Sequence, residues 1–177
     1  MKFYTGQGDG GQSTLFGSGA KISKTDPRFE ALGALDELNS YLGVCKSLAE
    51  EEKVKNILKT TQENLFIIQA EIGSPNAKKV STLSESKLKD LEKTIDEFGN
   101  FVGEIRQFTV AGGLPLSAHF DFARALARKA ERRAAALKNQ ISPTALAYLN
   151  RLSSLLFVLA RYVNKKTNTP EDHPSYK

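Results

Sequence analysis

The chain reads as all-α: a five-helix bundle preceded by a glycine-rich N-terminal loop. Three observations predict this. Apolar residues recur at three- and four-residue spacing through five stretches. Capping residues, prolines and glycines punctuate the gaps between them. The last stretch is apolar nearly all round, as the most buried helix of a bundle should be. With 177 residues and 40% hydrophobic content, the chain is long enough to bury a core as one domain. The expected organisation is a loop over 1–25, a helical bundle over 26–164 and a loosely ordered polar tail over 165–177.

The loop opens the chain. Residues Thr5 to Gly17 hold five glycines and three hydroxyl side chains in thirteen positions. Glycine lets the backbone approach a ligand closely, and hydroxyls and free N–H groups can cradle phosphate oxygens. No Gly-Lys-Ser/Thr closes the run, so it is not a P-loop, and it fits the dinucleotide fingerprint poorly. A flexible arm is the alternative reading. Lys21 and Lys24 just downstream favour an anion site.

The helices follow in order. Asp26 is placed to cap a first helix from about Pro27 to Ala49, with proline at its first position. Leu35, Leu38, Leu42 and Cys45 form its apolar stripe, and Asp36, Asn39 and Ser40 a polar edge. A second helix runs from about Glu51 to Ile72 through Val54, Ile57, Leu58, Leu65 and Ile68, ending before Ser74-Pro75-Asn76. Thr82 and Glu85 suggest a capping box for a third over about 83–98, with Leu88, Leu91, Ile95 and Phe98 inward and Gly99 as its stop. Residues 106–114, Arg-Gln-Phe-Thr-Val-Ala-Gly-Gly-Leu, break the pattern and read as a short extended segment and a glycine turn. A fourth helix spans about Ser117 to Lys138. Ser142 and Pro143 start the fifth, which reaches about Asn164.

The fourth helix carries the chemistry. Arg124, Arg128 and Arg132 recur every four residues, along one slowly drifting stripe. Ala123, Leu126, Ala127 and Ala130 between them suit close packing, and Glu131 is the only acid within the stripe. A like-charged row on a packable helix calls for an anion from elsewhere, and a polyphosphate suits the guanidinium fork. On the fifth helix, Asn150, Ser154, Phe157 and Arg161 fall four, three and four residues apart. A buried Asn there would need partners for its amide, and beside the arginine stripe a ligand contact is the favoured one.

Charge and composition narrow the class. Residues 121–177 hold 11 Lys/Arg against 4 Asp/Glu, whereas residues 1–120 hold 14 against 16. Aromatics do not interleave with the basic residues, so a small polyanion fits this face better than nucleic acid. The single cysteine, Cys45, cannot form an internal disulfide and suggests a reducing compartment. With no apolar leader and no run near the roughly 18 apolar residues of a membrane span, a soluble cytoplasmic protein is expected. His119 and His173 lack a Glu-x-x-His partner, which argues against a di-iron bundle.

Four separated motifs together resemble the PduO-type ATP:cob(I)alamin adenosyltransferases, from residue 3 to about 164. They are the Thr5-Gly-x-Gly-Asp-x-Gly run with Phe29-Glu-Ala-Leu-Gly-Ala-Leu-Asp-Glu-Leu-Asn-Ser40, Phe108-Thr-Val-Ala-Gly-Gly113, Ala123-Arg124 with Arg128-Lys-Ala-Glu-Arg132, and Tyr148-Leu-Asn-Arg-Leu-Ser153 leading to Arg161. The resemblance implies a homotrimer with active sites between subunits. It also implies transfer of the 5′-deoxyadenosyl group of ATP to Co(I) of a reduced corrinoid such as cobalamin, with release of triphosphate.

Carried over by motif, Thr5, Gly6, Gly8, Ser13, Thr14 and Lys24 would bind ATP. Arg128, Glu131, Arg132 and Asn150 would hold the rest of the nucleotide, with Glu131 toward Mg²⁺. Asp36 and Arg124 would pair across the subunit interface. Phe108 would lie under the corrin ring and displace its lower axial ligand; by its own residue pattern it reads as a core aromatic. A corrinoid reductase and an adenosylcobalamin-dependent enzyme are the implied partners. Co(I) is so strong a nucleophile that none is needed from the protein, consistent with no Ser/His/Asp or Cys/His set being apparent.

The chain departs from that pattern at Ser154, where an Asp is common. It departs again at Phe120-Asp121, where Leu-His is usual, and in the Phe108 segment, which lacks a proline before the glycines. A catalytically silent paralogue that binds ATP or a corrinoid, and a basic nucleic-acid module, are the alternatives. The retained Arg124, Arg128, Glu131, Arg132 and Asn150 favour the enzyme over both.

Overall fold

Asp26 starts the bundle as its position predicts. The structure, a computed structural model, describes residues 1–15, 21–74 and 81–176. Helix α1 spans Pro27–Leu48, and the Asp26 carboxylate accepts a hydrogen bond from the Arg28 N–H at 3.0 Å and from its guanidinium at 2.8 and 2.9 Å. These bonds from Arg28 hold the Asp26 carboxyl at about 2, below its ordinary 3.8. A depressed carboxyl stabilises the fold fully above its unfolded value and loses that contribution as pH falls toward 2. Asp26→Ala should therefore cost ~1 kcal/mol at neutral pH. Thermal melts from pH 7 downward should show the gap between variant and parent closing in that acid range.

Helix α2 spans Glu52–Gly73 and α3 spans Glu85–Val102. Pro75 and Asn76, expected just past α2, lie outside the described residues. The third helix begins and ends later than its sequence suggests. Ser84, not Thr82, takes the N-cap position, and α3 passes through Gly99 to stop at Gly103, whose φ is 79°. The extra turn is held because Phe98 and Phe101 both pack edge-on against Tyr162, with ring centroids 4.7 and 5.0 Å apart. Open space surrounds the Gly99 Cα, so nothing there forces a stop.

Helix α4 spans Pro115–Ala135, starting two residues before Ser117 because Pro115 suits the first helical position. It ends before Lys138, and a 3-10 turn at Lys138–Gln140 leads to α5, Pro143–Lys166. The Ser142 hydroxyl caps α5 by accepting from the Ala145 N–H at 3.2 Å. Glu71 of α2 in turn accepts from the Ser142 N–H and from its hydroxyl, tying α2 to the start of α5.

Helix α5 is the centre. It packs against α3 and α4, α4 packs against α1, and α1 against α2. Leu149, Leu152, Leu155, Leu156 and Leu159 are fully buried against Leu35, Leu38 and Leu42 of α1, Leu65 and Ile68 of α2 and their neighbours. By length and composition α5 would pass for a membrane span, yet its leucines are the core of the bundle. On α4 the buried face is mostly alanine: Ala123, Ala127, Ala130 and Ala134 let this helix approach both α1 and α5 closely. That packing turns its arginines outward. Cys45 is fully buried in α1, where desolvation pushes its thiol up to about 12.

Two segments differ from expectation. The glycine-rich loop contains a small antiparallel hairpin, β1 (Gln12–Thr14) against β2 (Lys21–Ser23), with Ser13 opposite Ile22. Three-residue strands are too short for alternation to show in a sequence. The tail is not loose. It folds back along residues 106–114, where the Val110 N–H donates to the Asp172 carbonyl at 2.8 Å and His173 Nδ1 meets the Phe108 carbonyl at 2.9 Å. The 106–114 segment itself forms no strand; its glycines, Gly112 and Gly113, have φ of 151° and 89°.

Candidate functional site

Close packing of the alanine face leaves the arginines at the open edge of α4. Arg128 and Arg132 are exposed and Arg124 is half-buried. Among the described residues none of the three makes an ion pair, and Nε of Arg124 is buried without a hydrogen-bond partner. Three unneutralised guanidiniums on one helix face favour an anion from outside the chain.

Arg124 and Arg128 open into a cavity of about 690 Å³ between α4, α5 and the 106–109 loop. Ser153, Ser154, Phe157 and Val158 of α5 line its far wall, and Phe108 and Thr109 its rim. Phe108 is 79% exposed, so it is no core aromatic. The exposed ring stands at the rim of a cavity that two arginines line.

One turn beyond, Asn150 Nδ2 donates to Glu131 Oε1 at 2.7 Å, and Asn150 Oδ1 accepts from Arg151 at 2.7 Å. Asn150 is exposed rather than buried, so this pair faces solvent beside the arginines. The α5 stripe divides. Ser154 and Phe157 line the cavity, whereas Arg161 is 2% exposed and pairs with Asp121 at 2.6 Å and Glu171 at 2.8 Å. Its partners were missed in the sequence, although an arginine on an apolar helix calls for an acid and Asp121 stands where the resemblance expected histidine.

Among the described residues no three His, Cys, Asp or Glu side chains cluster as a metal site around Glu131. One carboxylate suits Mg²⁺ only if phosphate oxygens complete its octahedron.

In the N-terminal loop the turns close on glycine. The Asp9 N–H donates to Gly6 O and the Gly11 N–H to Gly8 O, each at 3.2 Å, and the Lys24 N–H donates to Gly11 O at 2.9 Å. The Lys24 amine lies so close over Gly8 that a Cβ there would stand 3.0 Å from Nζ. Thr5 Oγ1 accepts from the Gln7 N–H at 3.4 Å, while Ser13 and Thr14 sit on β1. Among the described residues, no hydrogen bond or ion pair joins this loop to the α4 arginines. The cavity therefore brings Arg124, Arg128, Ser154 and Phe108 together, and a hydrogen bond joins Glu131 to Asn150, whereas Thr5, Gly6, Gly8, Ser13, Thr14 and Lys24 do not line that cavity.

Asp36 lies exposed on α1 without an ion-pair partner among the described residues. The neighbouring outer face carries Val44, Leu48 and Phe122, exposed by 40%, 44% and 53%. Tyr41 packs edge-on to Phe122 at 4.8 Å and shares a 2.7 Å hydrogen bond with His119 Nδ1.

Fold and side chains define a class: a helical bundle whose open face offers an anion free guanidinium donors beside an exposed aromatic ring. The chain belongs to the cobalamin adenosyltransferase family, matching it over residues 3–163. It is 37% identical over 166 residues to the corrinoid adenosyltransferase PduO of Salmonella typhimurium, covering 91% of this chain and 49% of that protein. Against the PduO of Citrobacter freundii the identity is also 37%, over 100% of this chain and 52% of the relative. The chain thus spans about half the length of these two relatives. With the corrinoid adenosyltransferase of Bacillus subtilis it shares 36% identity, over 94% of this chain and 89% of that one.

The same fold occurs in a PduO-type ATP:corrinoid adenosyltransferase from Lactobacillus reuteri, solved as a phenylalanine-to-histidine variant complexed with cobalamin and ATP. The TM-score is 0.91 at 32% identity, covering 98% of this chain and 97% of that one. A lysine-for-arginine variant of that enzyme, complexed with ATP, superposes with a TM-score of 0.89 at the same identity, over 97% and 99% of the two chains.

Proposed function

We propose that this protein transfers the 5′-deoxyadenosyl group of ATP to the Co(I) of a reduced corrinoid. The observation that carries this reading is Phe108, held exposed over a cavity walled by Arg124 and Arg128, in a member of this family. The Co(I) electron pair attacks C5′ of ATP, a cobalt–carbon bond forms, and the C5′–O bond breaks with its electrons leaving on triphosphate. Cobalt ends as Co(III) carrying the adenosyl group.

The chain's work in that step is placement and charge stabilisation. Thr5, Gly6, Gly8, Ser13, Thr14 and Lys24 offer hydroxyls, backbone N–H groups and an ammonium to the phosphates. Arg128 and Arg132 meet the charge that builds on the leaving triphosphate, and Asn150 fixes the carboxylate of Glu131 beside them. Mg²⁺, held by Glu131 together with phosphate oxygens, would add Lewis-acid stabilisation of the same charge. Phe108 covers the lower face of the corrin and excludes water and the axial donor there, which makes the preceding reduction to Co(I) easier. Ser154 gives the cavity wall a neutral hydroxyl. A corrinoid reductase upstream and an adenosylcobalamin-dependent enzyme downstream are the partners this chemistry calls for. The single, buried Cys45 agrees with a reducing, cytoplasmic setting.

The loop and the arginine face, apart in one chain, meet in this reading between subunits of a homotrimer. Asp36 and Arg124, both without an ion-pair partner among the described residues, would pair across the interface, beside the apolar face of Val44, Leu48 and Phe122. Asp36→Ala and Arg124→Ala should each shift the trimer toward monomer in sedimentation velocity and lower turnover in parallel. Unchanged sedimentation with full activity in both variants would remove the pair.

The deciding assay is anaerobic. Purified protein, ATP, Mg²⁺ and chemically reduced cobalamin should yield light-sensitive adenosylcobalamin and free triphosphate in equal amounts. ATP binding without product would replace the enzyme with a silent binding protein.

A further inference from the structure

The Phe108 loop ends in a ring of polar contacts built around the buried Arg161–Asp121 pair. The Gly112 N–H donates to Asp121 Oδ2 at 3.3 Å, and Arg161 Nη2 donates to the same oxygen at 2.6 Å. Arg161 Nε forms an ion pair with Glu171 Oε1 at 2.8 Å. Asn164 Nδ2 closes the circuit, donating to that Glu171 oxygen at 2.8 Å and to the Gly112 carbonyl at 3.3 Å. Its Oδ1 accepts from the Leu114 N–H at 3.1 Å. The ring therefore joins α4, α5, the tail and the loop at one glycine turn.

Asn164 is the member that grips the turn from both sides. It is 1% exposed, and its carboxamide lies so close under Gly113 that a Cβ there would collide with it. Gly113 also has a φ of 89°, so both its conformation and its lack of a side chain are needed for the contact. The loop from Phe108 to Leu114 is thus fixed at its C-terminal end by a side chain of α5. Through Glu171 the same side chain anchors the tail, whose next two residues bond to the backbone at Val110 and Phe108. These bonds hold the backbone of the Phe108 loop at both Phe108 and its glycine end, and Asn164 does so without lining the cavity.

From this we propose that Asn164 is a positioning residue for Phe108, acting through the glycine turn and through the Glu171 tail. The proposal rests on the adenosyl-transfer reading above. Asn164→Asp keeps the shape and the acceptor for Leu114 but removes both donors and sets a carboxylate against Glu171 and the Gly112 carbonyl. The ring opens and the loop loses its register over the cavity.

The test compares the parent chain and N164D with ATP, Mg²⁺, cob(II)alamin and a reduced flavin as electron donor, so that turnover includes the reduction to Co(I). Two readouts separate positioning from mere stability: turnover against the KM for ATP, and the fraction of bound cob(II)alamin that loses its lower axial ligand, read by electron paramagnetic resonance. N164D should lower kcat on the order of 100-fold, as misplacement of a reacting group does. Its KM for ATP should stay at the parent's value, and bound cob(II)alamin should retain its lower ligand. Adding Glu171→Gln to N164D restores a donor facing the new carboxylate and should recover part of both losses. A folded N164D with parental kcat and parental cobalt spectrum overturns the proposal. If N164D does not fold, Glu171→Ala, at a partly exposed tail position, carries the same test, and parental kcat with parental spectrum there overturns it equally. A parent that makes no adenosylcobalamin overturns the functional reading instead.

Discussion

Arg128→Ala should leave the bundle folded and remove nearly all adenosyl transfer. The side chain is exposed, and among the described residues it makes no ion pair or hydrogen bond. Nothing in the fold depends on it, so its truncation should move stability by no more than about 0.5 kcal/mol. In the proposed reaction turnover should depend on it, because the attacking Co(I) needs no activation and the barrier would lie in placing C5′ and stabilising the departing triphosphate. Removing one preorganised donor from developing charge costs on the order of 100- to 1000-fold in kcat. Arg128→Lys separates charge from geometry: it keeps the cation and loses the fork, so its turnover should fall between parent and alanine variant. Steady-state kinetics beside a thermal melt read both quantities. Near-parental turnover in the alanine variant would take Arg128 out of the site.

The parts of this molecule legible in the sequence are those governed by local spacing. Leu149, Leu152, Leu155, Leu156 and Leu159 announce a buried helix without reference to any other residue, and Asp26-Pro27 announces where α1 begins. The outward arginines follow from the alanines between them. What escaped is set by contacts distant in the chain. Gly99 reads as a stop, but the rings of Phe98 and Phe101 meet Tyr162 more than sixty positions away and carry α3 on to Gly103. The tail reads as polar and loose because its partners, Phe108 and Val110, lie as far upstream.

The candidate site divides in the same way. Arg124 and Arg128 could be read from their spacing as an anion face. That Phe108 stands exposed above them could not be read from its own residue pattern, which suggests a core aromatic; only the resemblance gave it a ligand. Asn150 and Arg161 share a stripe, yet one faces solvent beside Glu131 and the other is sealed in the ring around Gly112. Burial, not spacing, separates a side chain open to a ligand from a structural one. The N-terminal loop illustrates a further limit, because among the described residues its glycines and hydroxyls bond to none of the α4 arginines, and in the proposed site they would act from a second copy.

Breaking the buried ion pair should have the largest effect on stability. Arg161 and Asp121 are 2% and 6% exposed, and the Asp121 oxygen that accepts from Arg161 also accepts from Gly112. Replacing such a pair by matched apolar or neutral groups is often harmless, but removing one partner strands a desolvated charge. Arg161→Met, similar in length and apolar, leaves Asp121 with a single backbone donor and should cost about 3–5 kcal/mol in urea unfolding. Most of that loss belongs to the orphaned carboxylate rather than to the lost attraction. Adding Asp121→Asn should therefore restore much of it, since the amide oxygen can still accept from the Gly112 N–H and no charge remains buried. The double-mutant cycle measures the coupling directly. Additive losses in the cycle would mean that Arg161 acts through Glu171, 2.8 Å from its Nε, or through packing against Phe157, whose ring centroid lies 5.3 Å from its guanidinium carbon, and not through Asp121.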